Sequence, residues 1–461
     1  MTNQSLFPQF RSGVYQNFAG CKRTDTLMDL VDALSSNTTA KSPVELTLNT
    51  HFRRSYTALN KAVRVNCLDN NRLAQLANQA VAALKNRKFY LFGSDVTSNP
   101  RPYAETLPDR GYVYQPNTIK GNKPIAVGHQ YSLLAMLPEQ EQANAGHWVI
   151  PMAMDRVESQ ENKELVGARQ MQEILTDAKL PFSEALCVQV VDASYSKPSF
   201  LSYNADTANL VVIARARGSR TFYRQPNLDT QNAGGKGHPT WYGSRFSLQE
   251  PETWGQPDET AETSYTGQKK KTYRVEIQGW HNLIMRGKKG IVMRDHPFSL
   301  IKVCWYDQED KQVFHKPLWL IVLGERRADL SLLDIFQAYQ QRYDLEHFFR
   351  FGKQKLLLDK FQTPDDQNEE NWWRLVALAY LQLWAARELT TSLPRPWERN
   401  LPSVLNKLVT PSTALRDMDR IIRQFGTLAP APKPRGKSPG WKKGKPRTQR
   451  PHLPVVKKGK S

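Results

Sequence analysis

Residues 330–356 read LSLLDIFQAYQQRYDLEHFFRFGKQKL, and the organisation of the chain turns on them. Their apolar residues recur at helical spacing, which predicts one long helix. At 100° per residue, Tyr339, Arg342, Glu346 and Lys353 project within a sector roughly 60° wide. Leu345, Phe348, Phe349 and Gly352 fall elsewhere around the axis. One side of the helix is therefore expected to pack, and the other to present an acid flanked by a phenol and two cations. Taken alone, the face reads as an intrahelical salt-bridge ladder, because Arg342 and Glu346 are an i,i+4 pair.

Two aspartates upstream change that balance. KFYLFGSDVTS (88–98) and ALCVQVVDASYS (185–196) are short apolar runs that end in polar turns. Each predicts a strand delivering an acid, Asp95 and Asp192, at its end. Either acid by itself serves equally well as a turn former or helix cap. Carboxylates at neighbouring strand ends, joined by a third from a helix, supply the hard oxygen ligands that Mg²⁺ or Mn²⁺ requires. Two such ions can stabilise the attacking and leaving oxygens of a phosphoryl transfer.

The rest of the chain supports a nucleic-acid partner. Net charge is +20 over 461 residues, and cationic side chains that neutralise phosphates gain from counterion release. Eleven of the Lys and Arg residues lie within 431–461, which holds no acid. No run of about 18 apolar residues is present, so no membrane span is expected. The N-terminus lacks a secretory pattern, so a cytoplasmic, nucleoid-associated location is expected. Cys21, Cys67, Cys187 and Cys304 are widely spaced and predict neither a zinc site nor a disulfide framework. His129, His238 and His281 are scattered and predict no metal site.

The expected fold is α/β, with strands at 88–98, 123–137, 147–157, 185–192, 209–224 and 317–325 and a helix at 171–180 forming a mixed sheet. Residues 1–88 read as a helical N-terminal DNA-binding domain, with Arg53, Arg54, Lys61 and Arg64 on a candidate helix. Residues 89–214 and 316–395 are the two parts of the catalytic core, and 215–315 is a β-rich insertion. The run 368–390 is apolar nearly all round and predicts a buried helix that takes Trp372 and Trp373 into the core. Residues 396–428 form a C-terminal helical segment, and the Pro-, Gly- and Lys-rich 429–461 a disordered basic tail.

Tyr339-x2-Arg342-x3-Glu346-x6-Lys353 resembles, residue for residue, the Y-x2-R-x3-E-x6-K signature of a superfamily of bacterial insertion-sequence DDE transposases. Asp95-Val96-Thr97 is similar to the Asp-x-Thr of their first catalytic strand. Gly128-His129-Gln130-Tyr131-Ser132 is similar to a following Gln-Tyr-Ser segment, and Asp192-Ala193-Ser194-Tyr195 resembles the second Asp-x-x-Tyr. The resemblance covers roughly residues 90–390 and implies an RNase H-like core interrupted by a β-rich insertion. It implies catalytic, metal-binding Asp95, Asp192 and Glu346 with Mg²⁺ or Mn²⁺, two ions in all. It further implies phosphate contacts from Tyr339, Arg342 and Lys353, and a dimer on double-stranded DNA made of transposon ends and target. Arg215, Arg217, Arg220 and Arg224 form a basic cluster that is a candidate DNA contact or a solvated strand face. Trp319 and Trp305 are candidate base-stacking residues, with core packing the favoured reading for both. The rival functions are an RNase H-like nuclease without strand transfer, and a catalytically inactive DNA-binding relative.

Overall fold

The computed structural model describes residues 6–65, 68–81, 84–115, 123–140, 146–226, 241–267, 271–288, 290–393, 395–398, 408–434, 440, 443–444, 446 and 449–458. His238 and Cys67 lie outside them. The chain forms two compact units. The first comprises residues 1–83, 96–163 and 344–461, and the second 84–95 and 164–343.

The first unit opens with helices α1 (Leu6–Phe18), α2 (Thr24–Ser35), α3 (Pro43–Leu46), α4 (Tyr56–Arg64) and α5 (Asn70–Asn78). These belong to one compact unit with residues 96–163 and 344–461. Of them, α1, α2, α4 and α5 pack on α10 (Asp366–Ala386), whose Trp372, Trp373 and Tyr380 are fully buried. The Gln382 side chain donates to Asp32 and Ser35 at 2.9 and 2.8 Å, and the Trp384 indole to the Ala80 carbonyl. A helix apolar on all sides needs neighbours on all sides, and the N-terminal helices supply one flank. Arg53 and Arg54 are therefore not open to DNA in the way expected, because both hold the buried Asp29 carboxylate, at 2.7 and 3.1 Å. Lys61 and Arg64, in the last turn of α4, are exposed.

The strands of this unit are the second half of β1 (Tyr90–Pro100), β2 (Gly111–Tyr114), β3 (Ile125–Met136) and β4 (Ile150–Val157). β3 pairs antiparallel with both β2 and β4. The Gln-Tyr-Ser segment lies on β3, with Tyr131 and Ser132 buried and Gln130 half-buried. Tyr131 stacks on Trp373 at 3.9 Å, and His129 is held between Glu369 and the Pro108 carbonyl. The basic tail is not wholly disordered as expected. Leu453 and Val456 donate backbone N–H groups to the Glu105 and Arg110 carbonyls, and His452 lies 2.8 Å from Glu105. Backbone hydrogen bonds to an accessible edge compensate for the small apolar content of this segment.

The second unit contains the first half of β1, α6 (Lys163–Thr176), β5 (Cys187–Val191), α7 (Pro198–Ala205), β6 (Leu210–Arg215), β7 (Thr221–Tyr223) and β8 (Arg245–Ser247). It continues with β9 (Glu259–Thr266), β10 (Thr272–Leu283), β11 (Phe298–Tyr306), β12 (Leu318–Leu323) and α8 (Leu332–Gln341). Its sheet runs β1-β5-β6-β12-β11-β10-β9. β1, β5 and β6 are parallel and the others antiparallel, a mixed sheet as an RNase H-like α/β core requires. The β-rich segment is present, but β9, β10 and β11 extend the core sheet through β12, and β7–β8 form a small sheet of their own. Trp319 is 3% exposed and packed among Trp254, Trp280 and Phe246, so no base can stack on it and its role is core packing. Trp305 packs on Phe314 and Phe336.

After α8 come α9 (Tyr343–Lys355), α11 (Leu389–Ser392) and α12 (Pro411–Phe425), the last three residue ranges in the first unit apart from Tyr343. The expected single helix over 330–356 is thus two, interrupted at Arg342, whose N–H bonds back three residues to the Tyr339 carbonyl at 3.2 Å. Among the described residues no helix is long and apolar enough to cross a membrane. Cys187 and Cys304 are free and buried, as small core residues should be, whereas Cys21 is disulfide-bonded, contrary to the expectation of no disulfide.

Candidate active site

Within the second unit, β1 and β5 run parallel with Ser94 opposite Val191. One residue further on, Asp95 and Asp192 follow side by side on strands spaced roughly 4.8 Å apart. β5 ends there, but β1 continues through Asp95 to Pro100, so Asp95 lies where pairing with β5 stops rather than at a strand end. The pair is fixed from below. Gln189 donates to the Ser94 hydroxyl at 2.7 Å, and both side chains are buried.

Asp192 opens a tight turn in which its Oδ1 accepts from the Ser194 N–H at 2.8 Å and the Ser194 hydroxyl at 2.6 Å. Turn former and metal ligand are thus compatible roles, since the turn engages one oxygen and holds the carboxylate in place. Tyr195 anchors the turn. Its ring is 1% exposed, meets Phe200 edge-on, and lies where a Cβ on Gly167 of α6 would approach to 3.1 Å.

Asp95 faces a cation. Arg342 Nη1 lies 3.5 Å from Asp95 Oδ2, both side chains being largely buried. Tyr339, one helical turn earlier, is 9% exposed and sits 5.8 Å from the Arg342 guanidinium. Burial pushes its phenol above the usual range, Arg342 and Arg215 pull it back, and Asp192 raises it. Tyr339, Arg342, Arg215, Asp95 and Asp192 therefore form one electrostatic cluster. Arg215 and Arg217 are exposed, but Arg220 is turned inward, donating to the Ser196 carbonyl.

Glu346 and Lys353 lie on α9 in the first unit. Glu346 occupies the first turn, where the helix dipole favours an acid. Lys353 Nζ donates to Thr97 Oγ1 and the Ser98 carbonyl, both at 2.8 Å, so the Asp-x-Thr segment and the signature lysine are physically linked. Burial holds this ammonium below its usual pKa. Around Glu346, sequence reasoning missed two residues. Asp344 is 2% exposed and accepts from His147 at 2.6 Å, which raises the imidazole pKa. Nothing in the spacing of His147 could have marked it, because its partner is nearly 200 residues away.

Among the described residues no three His, Cys, Asp or Glu side chains are gathered closely enough to hold a metal ion. The donor chemistry at Asp95 and Asp192 fits a hard divalent cation in kind, with two partly exposed carboxylates on adjacent strands.

A protein-family model described as DDE superfamily endonuclease matches residues 13–284. The match includes Asp95 and Asp192 and stops before Glu346. Comparison with curated proteins finds no match. Since the family model spans more than half of its residues, the chain belongs to the DDE superfamily endonucleases.

Proposed function

We propose that this protein is a DNA transposase of the bacterial insertion-sequence type, cutting at transposon ends and joining them to target DNA. The observation that carries the reading is the placement of Asp95 and Asp192 on neighbouring parallel strands, in an endonuclease family, with Arg342 of the Y-R-E-K signature against Asp95. Glu346 completes the carboxylate set in this proposal. Asp95, Asp192 and Glu346 would hold Mg²⁺ or Mn²⁺, two ions in all. Such ions, when bound, would supply Lewis-acid polarisation of the scissile phosphate and of the attacking oxygen.

The chain's own side chains do the remainder. Arg342 and Lys353 contribute fixed cations that orient phosphate oxygens. Lys353 is preorganised by Thr97 and Ser98, so little side-chain entropy is lost when DNA arrives. Tyr339 keeps its proton and serves as a hydrogen-bond donor. Arg215 and Arg217, with Lys61 and Arg64, extend the phosphate contacts. Two protomers act on two ends, in the cytoplasm at the nucleoid.

The test is incubation of the protein with Mg²⁺ and a DNA fragment carrying its own gene and flanks. Nicks confined to two sites bracketing the gene, followed by joining to a second DNA, are expected. Cleavage scattered along the fragment without joining would replace the proposal with a nuclease. Metal-independent binding without any cleavage would replace it with a DNA-binding relative.

A further inference from the structure

Asp344 stands two residues before Glu346 and His347 directly after it, and both are held by parts of the chain remote in sequence. The Asp344 carboxylate accepts from His147 Nδ1 at 2.6 Å through one oxygen and from Gln140 Nε2 at 3.2 Å through the other. The His147 ring also lies flat on His347, centroids 4.0 Å apart and planes within 1°. His147 is itself on a rigid base. Its neighbour Trp148 is buried edge-on against Tyr380 and Trp384 of α10, and the Trp148 indole donates to the Val409 carbonyl at 2.9 Å. One imidazole thus grips the first turn of α9 at two points that bracket Glu346.

We infer that His147 is a positioning residue: through Asp344 and His347 it fixes the direction of the Glu346 carboxylate and so sets the protein's affinity for divalent cations. The inference rests on the proposed role of Glu346. Partners that orient a metal ligand without touching the metal typically contribute ten- to a hundredfold in metal affinity or activity.

The experiment measures Mn²⁺ binding to the full-length protein by the loss of the free-ion electron paramagnetic resonance signal, with melting temperature recorded in parallel. His147→Ala is expected to weaken Mn²⁺ binding by about tenfold. His147→Asn, whose amide nitrogen falls where Nδ1 stood, is expected to restore it. His147→Gln, whose nitrogen falls where Nε2 stood, is expected not to. Wild-type affinity in His147→Ala overturns the inference. If His147→Ala also melts early, the Asn and Gln variants decide. Asn near wild type with Gln weakened supports positioning, and equal behaviour of the two overturns it. A wild-type protein that binds no Mn²⁺ would instead defeat the metal-dependent reading on which the inference stands.

Discussion

Glu369 is the residue on which the first unit's buried polar network converges. It is wholly buried and meets Arg101 at 3.1 Å, His129 at 2.7 Å and the Asn99 amide. Removing one partner of such a set leaves buried charge uncompensated, so Glu369→Ala should cost about 3–5 kcal/mol in urea unfolding. A cost under 1 kcal/mol would show that water reaches the site. Cys187 gives a prediction about protonation. Burial pushes its thiol up to about 12, and only the thiolate reacts readily. At pH 8 iodoacetamide should leave Cys187 unlabelled in the folded protein and label it in guanidinium, as read by peptide mass mapping. At this scale the sequence marked Asp95 and Asp192 as following strands, and these prove to be neighbours, because an apolar run ending in a polar turn is a signal contained within a short segment. It did not carry Glu369 with His129, or Asp344 with His147, because those partners are about 200 or more residues apart.

Among elements, α8 shows how local chemistry sets a boundary. Ser331 caps it with a reciprocal box, its hydroxyl bonded to the Asp334 N–H and the Asp334 carboxylate to the Ser331 N–H. Ser331→Ala should cost about 1 kcal/mol in thermal or urea unfolding, and Ser331→Gly a few tenths. Helices α8, α9 and α10 were readable from their periodicity, as were β1, β5, β6 and β12 from their apolar runs. The interruption at Arg342 was not, since no Pro or Gly marks it. Nor was the joining of β9, β10 and β11 to the core sheet. Alternating residues predict a strand, but its partner is chosen by long-range packing that a local pattern does not encode.

The whole molecule is assembled from discontinuous pieces. β1 gives its first half to one unit and its second half to the other, and the chain leaves the second unit between Tyr343 and Asp344. A linear division into domains could not foresee this, because composition shifts along the sequence mark solvent exposure rather than partnership. The basic tail belongs at this scale as well. Deleting residues 431–461 removes 11 cations and no acid, so the slope of log affinity for DNA against log salt should flatten. An unchanged slope would mean that the tail touches no phosphate.

The central claim is that Asp95, Asp192 and Glu346 act as one metal-holding set on DNA. It is tested most directly by measuring cleavage of the protein's own element ends in Mg²⁺ with Asp95→Asn, Asp192→Asn and Glu346→Gln, each alongside DNA binding by gel shift. The account predicts that each substitution abolishes nicking while binding stays within about twofold of wild type, a change of under roughly 0.5 kcal/mol. Nicking by Glu346→Gln at the wild-type rate would contradict it.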